Sequence, residues 1–316
     1  PRLQRCVEWM PSNASAPDKI EPLSHVLIWI CIAQGGHTAK GGVVSVRVEE
    51  IGVDLGDLVT ETEAVFGVYL DRTGGAIMRA QLTADHPSLK VTNCYGAPWP
   101  RGTRKEARDG IRELAYFAAK MSGDQPSVAV AISAPGPFVS LNHESRTKDY
   151  GTVHPKVGHP ALSELNLPEV FRKAFERHDE GRHRLLHIDV YTDAQACAIG
   201  EAVSRDLPGS QTLAFILVTE GIGLGIVRGR EPIGSALHSE FGMMPVRWDS
   251  EDPLRPPKED KDARLYDKSL SQLAENQSLA RRKDRALELR AYYLAQGCLS
   301  CAVMVAPHQI VLGADV

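Results

Sequence analysis

Two glycine-marked strand turns, one in each half of the chain, restrict the fold more than any other feature. They are Ile51-Gly52-Val53-Asp54-Leu55-Gly56 and Val218-Thr219-Glu220-Gly221-Ile222-Gly223-Leu224-Gly225. Each follows an apolar, β-rich run and leads toward more strand, so the chain reads as two related α/β halves with a cleft between them. Glycine lets backbone amides approach a phosphate with no Cβ in the way, which makes Gly56, Gly221, Gly223 and Gly225 candidate phosphate-facing positions. Between the two turns, Tyr191-Thr192-Asp193-Ala194-Gln195 puts an acid after an apolar strand and ahead of a helix of small residues. Two readings of Asp193 follow from its place: a general base at the cleft, or an N-cap of the helix.

Residues 1–42 read as an N-terminal extension rich in Pro, Ser, Asn and Gly around one apolar run, Val26 to Ala33. That run is shorter than the roughly 20 residues a membrane span requires, and it reads as a buried strand. A small α/β domain is expected over 43–160 and a large one over 161–316. In the first, strands are expected at Val43 to Val48, Ile51 to Val53, Ala64 to Leu70 and Ala76 to Leu82, with Asp71-Arg72-Thr73-Gly74-Gly75 as a hairpin turn. A helix from Thr103 to Met121 and a buried strand from Ser127 to Ile132 follow, the strand running into Pro135-Gly136-Pro137. In the second half, strands are expected at Leu185 to Val190, Leu213 to Val218 and Gly223 to Val227, and a helix at Ala194 to Ser204. Ser250 to Lys268 reads as an exposed loop. A last helix, Asp284 to Val305, places Leu287, Ala291, Leu294, Cys298, Ala302 and Val305 on one face, and His308 to Leu312 reads as a closing strand.

The formal net charge of −4 and a pI near 6.3 give no electrostatic support for a nucleic-acid or anionic-membrane partner. Six scattered cysteines in 316 residues suit a reducing compartment, and the cytoplasm is the expectation. Cys298 and Cys301 have the spacing of half a zinc site, but their place toward an apolar helix face reads as buried small hydrophobes.

The order of motifs resembles the ROK family of sugar kinases and repressors. The residues that carry the resemblance are Asp54-Leu55-Gly56, Ala134-Pro135-Gly136-Pro137, Thr192-Asp193, Thr219-Glu220-Gly221-Ile222-Gly223, His238-Ser239-Glu240-Phe241-Gly242 and Val311-Leu312-Gly313. Within the family, Lys148-Asp149-Tyr150-Gly151-Thr152-Val153-His154-Pro155-Lys156-Val157-Gly158 resembles the fructokinase branch. The resemblance implies an actin-like, ribonuclease H-like ATPase fold and transfer of the terminal phosphate of ATP to a hexose, fructose above all, with magnesium. It implies Asp193 as the catalytic base, Gly136 and Glu240 at the sugar, and Asp54, Gly56, Gly221, Gly223 and Gly313 at the nucleotide. It also implies a small-molecule hexose as partner, and homodimers are common in the family.

The chain departs from the family pattern in four places. Asp57, Leu58 and Val59 follow Gly56 where relatives carry Gly, Thr and Lys, and Glu220 replaces a phosphate-binding Thr. An acid about 4 Å from a phosphate costs on the order of 4 kcal/mol at an effective dielectric near 20, so a non-catalytic sugar-binding or regulatory relative is the alternative reading. Met243 stands where relatives have a zinc-ligating His and the 250–268 loop has no Cys, so no zinc is expected. Lys268 takes the place of a further sugar-binding Glu. A repressor role would require paired amphipathic helices within residues 1–50, and the sequence shows none there.

Overall fold

The computed structural model describes residues 63–71, 73–83, 86–99, 101–142, 146–155, 159–219, 221–233, 240–249, 252, 269–272 and 283–314. The expected extension, the expected strands at 43–48 and 51–53, and Asp54, Gly56, Lys156 and Glu220 lie outside them.

The first sheet contains β1 (Glu63–Leu70), β2 (Gly74–Thr83), β3 (His86–Pro98), β4 (Ser127–Ala134) and β5 (Arg184–Thr192), in the order β3-β2-β1-β4-β5. β1, β4 and β5 are parallel, whereas β2 and β3 fold back as antiparallel hairpins. β4 reads Ser-Val-Ala-Val-Ala-Ile-Ser-Ala with seven consecutive buried residues. A continuous apolar run is what a parallel strand covered on both faces requires.

Two helices cover one face of this sheet. α1 (Arg104–Met121) starts at Thr103, whose hydroxyl accepts from the Glu106 N–H while the Glu106 side chain returns to the Thr103 backbone, a complete capping box. Its buried stripe holds Ala107, Ile111, Leu114, Ala115 and Ala118, the residues expected from the spacing. α2 (Leu167–Asp179) packs beside it. Phe66, Val68, Leu70, Ile77, Trp99, Phe171 and Phe175 join the same core.

α3 (Asp193–Ser204) covers the opposite face. It is apolar nearly all round, because it lies between the first sheet and a second one: Val65, Ala131 and Tyr191 meet Ala194, Ala198 and Ile199, which in turn meet Leu213, Phe215 and Val227. The second sheet comprises β6 (Thr212–Val218), β7 (Ile222–Arg228), β8 (Glu231–Pro232) and β9 (Gln309–Ala314), in the order β8-β7-β6-β9. α4 (Lys283–Val305) packs on its far side with Phe241, Trp248 and Leu270. β5 belongs to the first sheet, so the chain passes from the first sheet to the second through α3.

Three features differ from the sequence expectations. β3, with Pro at both ends and a Gly inside, does not read as strand but pairs along β2. α2 was not anticipated, although Asn166 caps it and its Leu167, Phe171, Ala174 and Phe175 are buried at helical spacing. The buried line of α4 is Leu289, Tyr293, Gly297 and Cys301, while Leu287 is 69% exposed. The helix makes its closest approach at Gly297, where a Cβ would lie 2.9 Å from Leu270 Cδ2, and this contact turns the stripe away from the expected face.

Candidate functional site

Parallel β1, β4 and β5 end at one edge of the first sheet. The register pairs Tyr69 with Ser133, Ser133 with Tyr191, and Ala134 with Thr192. The turn after β1, the Pro135-Gly136-Pro137 turn after β4 and Asp193 after β5 therefore leave the sheet side by side. In open α/β sheets, ligands bind outside the carboxyl ends of the strands.

Asp193 is the first residue of α3. The helix is capped by Thr192, whose Oγ1 accepts from the Gln195 N–H at 3.1 Å while its own N–H donates to Gln195 Oε1 at 3.1 Å. This separates the two readings of the acid, because the N-cap role belongs to its neighbour. The Asp193 carboxylate accepts from the Ala194 N–H at 2.8 Å and is partly buried. Burial pushes its pKa up to about 6, against the opposing effect of backbone hydrogen bonds at Ala194 and at its own amide.

The second hairpin approaches this acid directly. A Cβ at Gly223 would sit 3.0 Å from Ala194 Cβ and 3.9 Å from Asp193 Oδ1. A Cβ at Gly225 would fall 2.0 Å from the Ala194 carbonyl oxygen, so β7 crosses the first turn of α3 only because this residue is glycine. At the hairpin tip, the Thr219 N–H donates to the Gly221 carbonyl at 2.9 Å, and a Cβ on Gly221 would meet nothing within 4 Å. Gly313, near the end of β9, pairs with Leu217 at the same end of the second sheet as this tip.

Glu240 is exposed and opens the 3-10 turn Phe241–Met243, whose Phe241 is buried. Gly242 anchors that turn on the hairpin: a Cβ there would come 2.4 Å from the Ile222 carbonyl oxygen and 2.2 Å from Ser271 Oγ. Gly136 stands in the turn after β4. The segment over 150–154 runs beside that turn, with the His154 N–H donating to the Pro137 carbonyl at 2.9 Å. Tyr150 ties the segment to β5 by accepting from the Val190 N–H at 2.8 Å.

Asp193, Gly223, Gly221, Gly136, Glu240 and Gly313 thus come to neighbouring strand ends and turns. Sequence reasoning read the turn after β1 as a hairpin but did not assign it to this edge of the sheet. With β4 on one side and β2 on the other, β1 holds the central place in the sheet, so Asp71 to Gly74 is the hairpin at its carboxyl end. There the Asp71 carboxylate accepts from the N–H groups of Thr73 at 2.6 Å and Gly74 at 2.7 Å. The Asp-x-Thr-Gly-Gly string was legible as a turn, but only the pairing with β4 shows which edge it occupies. Ser271 carried no signal, since its contacts are made across the fold. Among the described residues, no group of three or more His, Cys, Asp or Glu is arranged to hold a metal ion. Cys301 is buried beside Leu289 and Tyr293 and burial raises its thiol pKa, in keeping with a packing role. Among the described residues, no helix is long and apolar enough to cross a membrane.

Two twisted sheets separated by one small-residue helix, with an acid at that helix's first turn and a glycine hairpin folded over it, define the actin-like class of α/β proteins. Solved structures agree on the fold: the ROK hexokinase from Thermus thermophilus superposes with a TM-score of 0.53 at 17% identity, covering 80% of this chain and 82% of that one. A ROK family glucokinase from Streptomyces griseus, solved with glucose and AMPPNP, gives 0.51 at 17% identity over 79% and 83%. A sequence model described as the ROK family matches residues 74–316, and the chain belongs to that family. It is 28% identical over 204 residues to a fructokinase from Lactococcus lactis subsp. cremoris, spanning 60% of this chain and 61% of that protein.

Proposed function

We propose that this protein is an ATP-dependent hexose kinase in which Asp193 accepts the proton of the attacking sugar hydroxyl. One observation carries the reading: a carboxylate relieved of helix capping by Thr192 and raised by burial to about 6, with the backbone of Gly223 against it. A base with a pKa near the working pH is ionised yet basic enough to take a proton as the hydroxyl attacks.

Phosphoryl transfer asks the protein mainly to place two reactants in line and to balance charge. The open side of Gly221, with Gly223 and Gly313 at the same end of the second sheet, offers backbone where a triphosphate fits. To the Asp71–Gly74 hairpin, at the carboxyl end of β1 in the first sheet, we assign the phosphate-facing role that sequence reasoning gave to Asp54 and Gly56. Magnesium, when bound with the nucleotide, neutralises charge on the transferring group. It keeps several waters and most of its other ligands come from phosphate, so a site with few grouped acids suits it. Gly136 and Glu240 hold the sugar, Glu240 by accepting from its hydroxyls. Fructose is the favoured acceptor because the Lactococcus relative is a fructokinase and because the 150–154 segment, which carries the fructokinase-like motif, lies against the Gly136 turn.

The test is ATP-dependent phosphorylation of fructose, glucose and mannose with magnesium, wild type against Asp193→Asn. Turnover of fructose by the wild type and its loss by at least a hundredfold in the variant is the expected result, general-base catalysis contributing about 10²–10⁴-fold. No turnover above the variant's level ends this reading.

A further inference from the structure

Ser271 lies in the helical turn at 270–272, distant in sequence from both the second hairpin and the Glu240 turn. Its Oγ accepts from the Ile222 N–H, the first residue of β7, at 3.1 Å. The same oxygen stands against Gly242, where a Cβ would come within 2.2 Å of it. One hydroxyl therefore touches both the hairpin that carries Gly221 and Gly223 and the turn that carries Glu240.

The support beneath that hydroxyl is itself fixed. Leu270 is fully buried and its N–H donates to the Met244 carbonyl at 2.9 Å, and Pro245 bridges to Ser269. Ser269 and Gln272 close the turn reciprocally: the Gln272 N–H donates to Ser269 Oγ at 3.3 Å, and the Ser269 N–H to Gln272 Oε1 at 3.1 Å. Beyond it, the Arg247 N–H donates to Gln296 Oε1 at 2.8 Å, and Gln296 Nε2 donates to the Arg247 carbonyl at 2.9 Å, tying the chain that follows Glu240 to α4.

We propose that Ser271 is a positioning residue that holds the Thr219–Gly223 hairpin and the Glu240–Met243 turn in one fixed relation, so that nucleotide and sugar meet in line beside Asp193. This rests on the kinase reading above. A serine suits the place because it is small enough for the close approach of Gly242 and offers an acceptor without adding charge next to a polyanion. Without the hydroxyl, each segment keeps its own bonds: β6 with β7 for the hairpin, and the Met243 N–H to the Glu240 carbonyl for the turn. Only their mutual placement is released. A misplacement of about 1 Å between reactants costs on the order of 10²-fold in rate.

The experiment takes the full chain with Ser271→Ala and Ser271→Cys, the second keeping side-chain volume while offering a poor acceptor. Steady-state kinetics with fructose and magnesium ATP are measured beside amide exchange of the peptides covering 219–223 and 240–244. The expected result is a kcat about tenfold to a hundredfold lower with both KM values near wild type, and faster exchange at Ile222 and in the turn. A kcat within twofold of wild type in both variants, or unchanged exchange at Ile222, overturns the proposal. If the wild type phosphorylates no hexose, the kinase reading falls separately, and exchange decides the coupling: faster in both peptides upholds it, unchanged in either overturns it.

Discussion

At the scale of single residues, Asp193 joins function to stability. Its folded-state pKa of about 6 lies above the unfolded value of 3.8, so the folded protein binds the extra proton between those values. Stability from this group is therefore full below pH 3.8 and declines as pH rises through about 6, the reverse of a salt-bridged acid. Two outcomes are expected. The pH profile of kcat/KM rises with unit slope to a plateau above pH 6, as the base loses its proton. Asp193→Asn, expected to be inactive, is more stable than wild type at pH 7.5 by roughly 2–3 kcal/mol of unfolding free energy, read as a higher melting temperature. A variant that melts lower at that pH would show that the carboxylate is stabilising where it stands. Asp193 was legible as an acid at a strand–helix junction, but only the capping box shows that the N-cap of α3 is Thr192 and not Asp193.

The elements were legible to different degrees, for physical reasons. α1 announced both its start and its buried face, because Thr103 and Glu106 form a local capping box and its apolar residues follow a helical period. β3 gave no such signal: a strand with Pro at both ends exists because β2 supplies its partner. α4 was legible as a helix, but its orientation was set by the close packing of Gly297 on Leu270. Among the described glycines, Gly225, where β7 crosses α3, leaves the least room for a Cβ, which predicts the effect of one methyl group. Gly225→Ala puts a Cβ 2.0 Å from the Ala194 carbonyl, so denaturant unfolding should show a loss of about 3 kcal/mol or more, at or above the usual overpacking range. A loss under about 1 kcal/mol would mean that β7 moves aside freely.

For the whole molecule, the central question is whether hairpins on two different sheets serve one nucleotide. Asp71 offers a direct test, because its carboxylate engages the Thr73 and Gly74 amides that could otherwise face a phosphate. Asp71→Gly frees those amides and removes a like charge, and calorimetry with magnesium AMPPNP should show binding about tenfold tighter, on the order of 1.4 kcal/mol. Unchanged affinity would place the first hairpin away from the nucleotide. By itself, the sequence determined two α/β halves, the acid at residue 193, the glycine turn at 221–225 and membership of a family, because strand periodicity, capping and glycine spacing are local properties written in consecutive residues. Only the tertiary structure decided that Glu63–Leu70 is the central strand, that the turn at its end leaves the sheet beside the Pro135-Gly136-Pro137 turn and Asp193, and that Ser271 touches both the hairpin and the Glu240 turn. Each of those facts is a pairing between segments far apart in the chain, and which segments pair depends on the packing of the whole core around α3.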